Sequence, residues 1–111
     1  MNTDALVRFG KQAEQAVGLL KSMANECRLL VLCHLAVEGE LSVTQLQERV
    51  GLGQSALSQH LAKQREEGLV ETRKESQTVF YRVCDPKAEQ LLALLHDLFC
   101  PELGHAQSKR S

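Results

Sequence analysis

Residues 42–69 read SVTQLQERVGLGQSALSQHLAKQREEGL and hold two short helical patterns separated by a glycine break. Ser42-Val43-Thr44-Gln45 has the form of a capping box, in which the serine hydroxyl reaches the amide three residues on and the glutamine reaches back. It predicts a helix over Val43–Val50, with Leu46 and Val50 facing inward. Gly51-Leu52-Gly53 breaks the period. A second helix is expected from Gln54 to Glu67, closed by Gly68, with Leu57 and Leu61 four residues apart on its core face. Two short helices across a tight glycine-containing turn form a helix-turn-helix pattern.

Working outward, Leu69–Arg73 and Thr78–Val83 are rich in β-branched and aromatic residues and flank the polar Lys74–Gln77, which predicts a β-hairpin. Upstream, Asn25 is placed to cap a helix ending near Glu38 and Gly39, apolar nearly all round and therefore expected to be buried. Residues 3–22 carry Leu6, Phe9, Ala13, Ala16, Val17 and Leu20 at helical spacing. Asp85 as N-cap and Pro86 in the first turn open a last helix that runs to Cys100, and Pro101 stops it. Residues 102–111 are polar and read as a frayed tail.

The order is helix, helix, helix-turn-helix, hairpin, helix: a mainly α fold with a small β-hairpin, a winged helix-turn-helix occupying residues 1–111 as a single domain. The first and last helices carry more apolar surface than so small a body can cover. A homodimer through those two helices is the expected outlet for it.

Composition narrows the function. The chain has 111 residues, 43% hydrophobic and 24% charged, with a formal net charge of −1. That balance excludes a globally basic nucleic-acid binder and leaves room for a local basic patch. Three Phe, one Tyr and no Trp leave too few aromatics for a base-stacking platform. No uninterrupted apolar run is longer than Leu29–Cys33, so no membrane association is expected. The opening MNTDALVRFGKQAEQ lacks the apolar core of a secretory signal, so the expected address is the cytoplasm. The four cysteines, Cys27, Cys33, Cys84 and Cys100, include no C-x-x-C pair and are expected to be free thiols.

On the second helix of the pair, Gln54, Ser55, Ser58, Gln59 and Lys63 share the face opposite Leu57 and Leu61, with His60 beside them. These side chains can reach base edges or phosphates in a major groove, and the small Ser55, Ala56 and Ser58 permit close approach. Taken alone, this face is equally well a solvated one. The preceding helix, the tight turn and the basic hairpin tip the reading toward double-stranded DNA. Arg73, Lys74 and Arg82 on the hairpin, with Gln77 at its turn, would hold backbone or minor groove; loose polar surface is the plain alternative.

Gly51-Leu52-Gly53-Gln54-Ser55-Ala56 fits the glycine pattern of dinucleotide sites, but that motif needs a strand before it inside a βαβ unit, and the preceding residues read as helix. Catalytic signatures are missing: there is no G-x-S-x-G, H-E-x-x-H or P-loop, so no enzyme activity and no cofactor are expected. His34 and His96 read as histidines at the edge of the core. Cys33 falls in the second helix and Cys100 at the end of the last. Each alone reads as a small buried hydrophobe, yet a last helix folding back over the second could bring them near each other.

Met23-Ala24-Asn25-Glu26, Arg28–Cys33, Leu41-Ser42-Val43, Gln54–Leu61, Gly68-Leu69-Val70 and Val79-Phe80-Tyr81 resemble the ArsR/SmtB family of winged-helix repressors, over about Ala13–Cys100. The resemblance implies a homodimer that binds an inverted-repeat operator and lets go when an inducer binds. It also bears on the sensor. The family's metalloid type carries a cysteine cluster at the first helix of the helix-turn-helix, and Leu41–Leu46 has no cysteine. The last-helix zinc type matches at Asp85 only, with Lys87, Leu98 and Pro101 where other ligands belong.

The likeness is greatest to the HlyU/BigR-type thiol sensors, in which a cysteine of the second helix and one at the end of the last sense oxidants or sulfane sulfur. Cys33 and Cys100 match those positions. Gln64 departs from the family, which usually has Leu there; this leaves either looser packing beneath the hairpin or a side chain facing outward. Cys27 is an additional thiol. The overall expectation is a repressor switched by oxidation or persulfidation of Cys33 and Cys100. The alternatives are a metal or metalloid sensor drawing on Cys27, Cys33, Cys84 and Cys100, and a helical interaction module without DNA activity.

Overall fold

The computed structural model describes residues 3–100. The elements are α1 (Thr3–Met23), α2 (Glu26–Glu38), β1 (Leu41–Ser42), α3 (Val43–Val50), α4 (Gln54–Glu66), β2 (Val70–Glu75), β3 (Thr78–Val83) and α5 (Pro86–Phe99). This is the winged helix-turn-helix expected from the element order. Pro101 and the expected tail at 102–111 lie outside the described residues.

The local signals act as their chemistry predicts. The Asn25 side chain accepts from the Arg28 amide and starts α2. The Ser42 hydroxyl accepts from the Gln45 amide at 3.2 Å while the Ser42 amide donates to Gln45 Oε1 at 2.9 Å, so both halves of the capping box are made. The Asp85 carboxylate accepts from the Lys87 and Ala88 amides ahead of Pro86. At the end of α4, Gly68 takes φ +80°, and the Gly68 and Leu69 amides donate to the Arg65 and Gln64 carbonyls. That pair of bonds is a Schellman closure, and it needs a residue without a Cβ penalty at Gly68.

Three expectations change. A strand precedes α3: Leu41 pairs with Tyr81 and Ser42 with Phe80, giving an antiparallel sheet of order β1-β3-β2. So short a strand has no periodicity of its own, and Ser42 serves both as its end and as the cap of α3. The hairpin loop is shorter than Lys74–Gln77. The β2–β3 register continues to Glu75↔Thr78, leaving Ser76 and Gln77 at the turn, with Ser76 at φ +56°. Finally, α2 is buried on one side only, through Val31, Leu32 and Leu35, while Leu30 is exposed.

The core joins Leu32 and Leu35 of α2 to Leu41, Leu46, Leu57, Leu61, Leu69, Val70, Ala88 and Leu92. Each fully buried leucine here contributes roughly 1.5–3 kcal/mol by leaving water. This core fixes α4 against α2 and α3, and it seats α5 on α2. By contrast, only Ser22 and Met23 of α1 are buried, and Leu6, Val7, Phe9, Val17 and Leu20 stay exposed along it. On α5, Leu94, Leu98 and Phe99 are exposed as well.

Candidate nucleic-acid interface and thiol pair

Leu57, Leu61 and Gln64 anchor α4 in the core with no exposure at all. The opposite face follows from that anchoring: Gln54, Ser55, Ser58, Gln59 and Lys63 are exposed together, and His60 is half-buried at the edge. Gly53 precedes α4 without any side-chain cap, so its first-turn amides carry the positive end of the helix dipole toward solvent. Lys63 lies 4.0 Å from Glu67, a loose i,i+4 pair that leaves its ammonium available. The outward-facing reading of Gln64 does not hold: its amide is buried and donates to the Arg28 carbonyl at 3.3 Å. The rest of the helix pattern leaves it no other direction, because it follows Leu57 and Leu61 on the core side.

The hairpin is less basic than its sequence suggests. Strand pleating places Val70, Thr72 and Lys74 on one face and Glu71, Arg73 and Glu75 on the other. Lys74 and Gln77 are exposed. Arg73 is engaged: its Nε and Nη2 donate to the Glu40 carboxylate, the latter at 2.8 Å, its Nη1 donates to Glu75 at 2.9 Å, and its guanidinium lies 4.9 Å from the Phe80 ring centre. The hydrogen bond from Arg73 holds Glu40 below the usual carboxylate range. Arg82 is paired with Glu71. Glu40 was invisible in the sequence because its position depends on the missed strand β1, which lines it up with β3.

A second clasp ties α3 to α2. Arg49 of α3 grips Glu38 at the end of α2, at 2.7 Å from Nη2, and His34 Nδ1 lies 3.3 Å from the same carboxylate. The Arg49 hydrogen bond draws the Glu38 pKa down.

All four thiols are free and half-buried. Cys100 caps the C-terminus of α5, where its amide donates to the His96 carbonyl at 2.8 Å. Because α5 packs on α2, Cys33 lies within electrostatic reach of Cys100. Burial pushes the Cys33 thiol up, and the neighbouring charge of Cys100 pushes it further. Cys84 is elsewhere, beside the sheet: its thiol donates to the Gly68 carbonyl at 3.4 Å, and burial, with Glu71 and Asp85 nearby, raises its pKa. Cys27 occupies the first turn of α2. Among the described residues no three His, Cys, Asp or Glu side chains converge on a point that could hold a metal ion. His96 is buried, as expected of a core histidine, but its Nε2 finds no hydrogen-bond partner. Among the described residues no helix is long and apolar enough to cross a membrane.

Comparison with known proteins supplies the rest. Residues 25–72 match the family described as "Bacterial regulatory protein, arsR family". The chain is 54% identical over 95 residues to the transcriptional activator HlyU of Vibrio cholerae, covering 86% of this chain and 87% of that one. It is 44% identical over 92 residues to the biofilm growth-associated repressor of Xylella fastidiosa, covering 83% and 80%. The solved structure of reduced HlyU from Vibrio cholerae superposes with a TM-score of 0.79, covering 84% of this chain and 97% of that chain. The transcriptional repressor BigR from Xylella fastidiosa also gives 0.79, at 41% identity, covering 90% and 98%. The helix-turn-helix, the wing and these likenesses agree: the chain belongs to the ArsR family of bacterial regulators, and it is a DNA-binding transcriptional regulator rather than an enzyme.

Proposed function

We propose that the protein is a cytoplasmic, homodimeric repressor that binds an inverted-repeat operator and releases it when Cys33 and Cys100 are bridged. The observation that supports the switch is the packing of α5 on α2, across which the charge of Cys100 raises the Cys33 pKa. A thiol at a helix end and a thiol held mid-helix make a natural attacking and resolving pair. With a peroxide, the Cys100 thiolate takes one oxygen to give a sulfenic acid, and Cys33 sulfur displaces it as water, forming the disulfide. With a persulfide donor, Cys100 accepts the outer sulfur and the donor leaves as its thiol. Cys33 then attacks the inner sulfur and hydrogen sulfide departs, so the sulfane sulfur is the electron acceptor. Further sulfane sulfur inserted into the bridge would make it a polysulfide.

The dimer rests on the exposed apolar rows of α1 and α5, Phe9 and Leu20 on one and Leu94, Leu98 and Phe99 on the other. Two recognition helices in one dimer must meet successive major grooves about 34 Å apart. A bridge that re-angles α5 on α2 alters that spacing, which is how a local bond becomes a loss of affinity. Base contacts are assigned to Gln54, Ser55, Ser58 and Gln59, with His60 at the edge. Phosphate contacts are assigned to Lys63, Arg73, Lys74 and Gln77.

The test is a mobility shift with the protein's own upstream DNA, reduced and after persulfide or peroxide treatment. Mass spectrometry on the same samples reads which cysteines are joined. Release accompanied by a Cys33–Cys100 link is the expected result. Release by a metal or arsenite at fully reduced thiols would instead point to a ligand-binding sensor.

A further inference from the structure

The contact between α4 and α2 contains an unresolved polar pair. Gln64, fully buried on the recognition helix, donates from Nε2 to the Arg28 carbonyl at 3.3 Å. That carbonyl lies inside α2 and already serves the helix ladder, so the bond uses only its second lone pair. In these same two residues, two buried atoms have no partner: the Gln64 Oε1 acceptor and the Arg28 Nε donor. Buried polar groups are nearly always paired, and an unpaired one carries its full desolvation cost. Here the missing donor and the missing acceptor belong to the two residues that already touch.

We infer that Gln64 and Arg28 form a two-position polar latch between the recognition helix and α2, and that Gln64 is a positioning residue for operator release. In one position the Gln64 amide holds the Arg28 carbonyl; in the other Arg28 Nε–H donates to Gln64 Oε1. The two arrangements differ in how α4 lies against the helix that carries Cys33, so a change at Cys33 has a route to Ser58, Gln59 and Lys63 on the far side of α4. A leucine at position 64 would fill the space and satisfy the core, but it would offer only one seating.

The inference rests on the thiol-switch reading, and two measurements separate them. Operator affinity is compared between the reduced and the Cys33–Cys100-bridged states, in wild type, Gln64→Leu and the volume-matched Gln64→Met, alongside each variant's thermal midpoint. Gln64→Leu is expected to be at least as thermostable as wild type and to bind operator when reduced. Its loss of affinity on bridging should shrink at least about threefold. Arg28→Lys, which keeps the charge and removes Nε–H, should shrink it similarly. A ratio unchanged in both position-64 variants overturns the latch. A wild-type ratio of one refutes the thiol switch instead. The latch is then decided by the Gln64 side-chain amide resonance in free and operator-bound protein: a shift supports it and an unchanged resonance overturns it.

Discussion

Arg73 and Glu40 are joined by a forked ion pair across the face of the sheet, with Arg73 Nε 3.0 Å and Nη2 2.8 Å from the carboxylate oxygens. A wing arginine held this way is not free to take a phosphate. To do so it must leave Glu40, and the contact with Glu75 as well. On the proposed phosphate role of Arg73, Glu40 competes with DNA for it. Glu40→Gln is expected to tighten operator binding a few-fold and to steepen the salt dependence by roughly one unit of log–log slope. Arg73→Ala placed on top of Glu40→Gln should remove the gain. A salt series on the three proteins measures it, and identical slopes for wild type and Glu40→Gln would take Arg73 out of the interface.

The recognition face makes a sharper claim, because Ser55, Ser58 and Gln59 are exposed together on a helix whose other side is immobilised by Leu57 and Leu61. Gln59→Ala and Ser55→Ala should each cost on the order of 1–3 kcal/mol of operator affinity, with specificity relaxed at one base pair. Lys63→Ala should weaken all sequences alike. Undiminished operator affinity in Gln59→Ala combined with Lys63→Ala would show that this face does not enter the groove.

The dimer prediction comes from apolar surface that the single chain leaves bare. Leu94 is 52% exposed and Leu98 62% exposed on α5. A charge introduced into a packed apolar interface has no partner there. Leu94→Glu with Leu98→Glu should give a folded monomer in sedimentation, with operator affinity lost along with the second recognition helix. A wild-type protein that sediments as a folded monomer at micromolar concentration would contradict the assignment.

How much of this was legible in the sequence depended on how local the cause was. Caps and helix ends were readable because Asn25, Ser42 with Gln45, Gly68 and Asp85 each act within a few residues of themselves. The face of α4 was readable from the spacing of Leu57 and Leu61. Glu40 was not, since its partner Arg73 lies 33 residues away and reaches it only through the β1–β3–β2 strand order. The direction of Gln64 is ambiguous in the sequence for a related reason: a polar residue at a core position reads as outward until its partner, the Arg28 carbonyl of another helix, is in place. Cys33 and Cys100 sit between these cases: the charge that Cys33 feels from Cys100 follows from the packing of α5 on α2 and not from their spacing.

The thiol chemistry should show its asymmetry in pH. Burial first, then the charge of Cys100, raises the Cys33 pKa above its ordinary value. At neutral pH Cys33 is thus a thiol for nearly all of its time, and the thiolate is the reactive form. After persulfide or peroxide treatment, singly modified Cys100 should accumulate at neutral pH, and the rate of bridging should climb about tenfold per pH unit toward the raised pKa. The same shift has a stability consequence. A group whose folded pKa is raised favours the fold through its protonated form, so its contribution is complete below the unfolded thiol pKa and is lost as pH rises through the folded one. Removing the neighbour by Cys100→Ser should bring the Cys33 titration part of the way back down, leaving only the burial effect, while Cys84→Ser should leave it unmoved. Alkylation rates at Cys33 across a pH series read this directly. If Cys100→Ser leaves the Cys33 profile unchanged, the two sulfurs do not sense each other, and the pair loses its claim to be the switch.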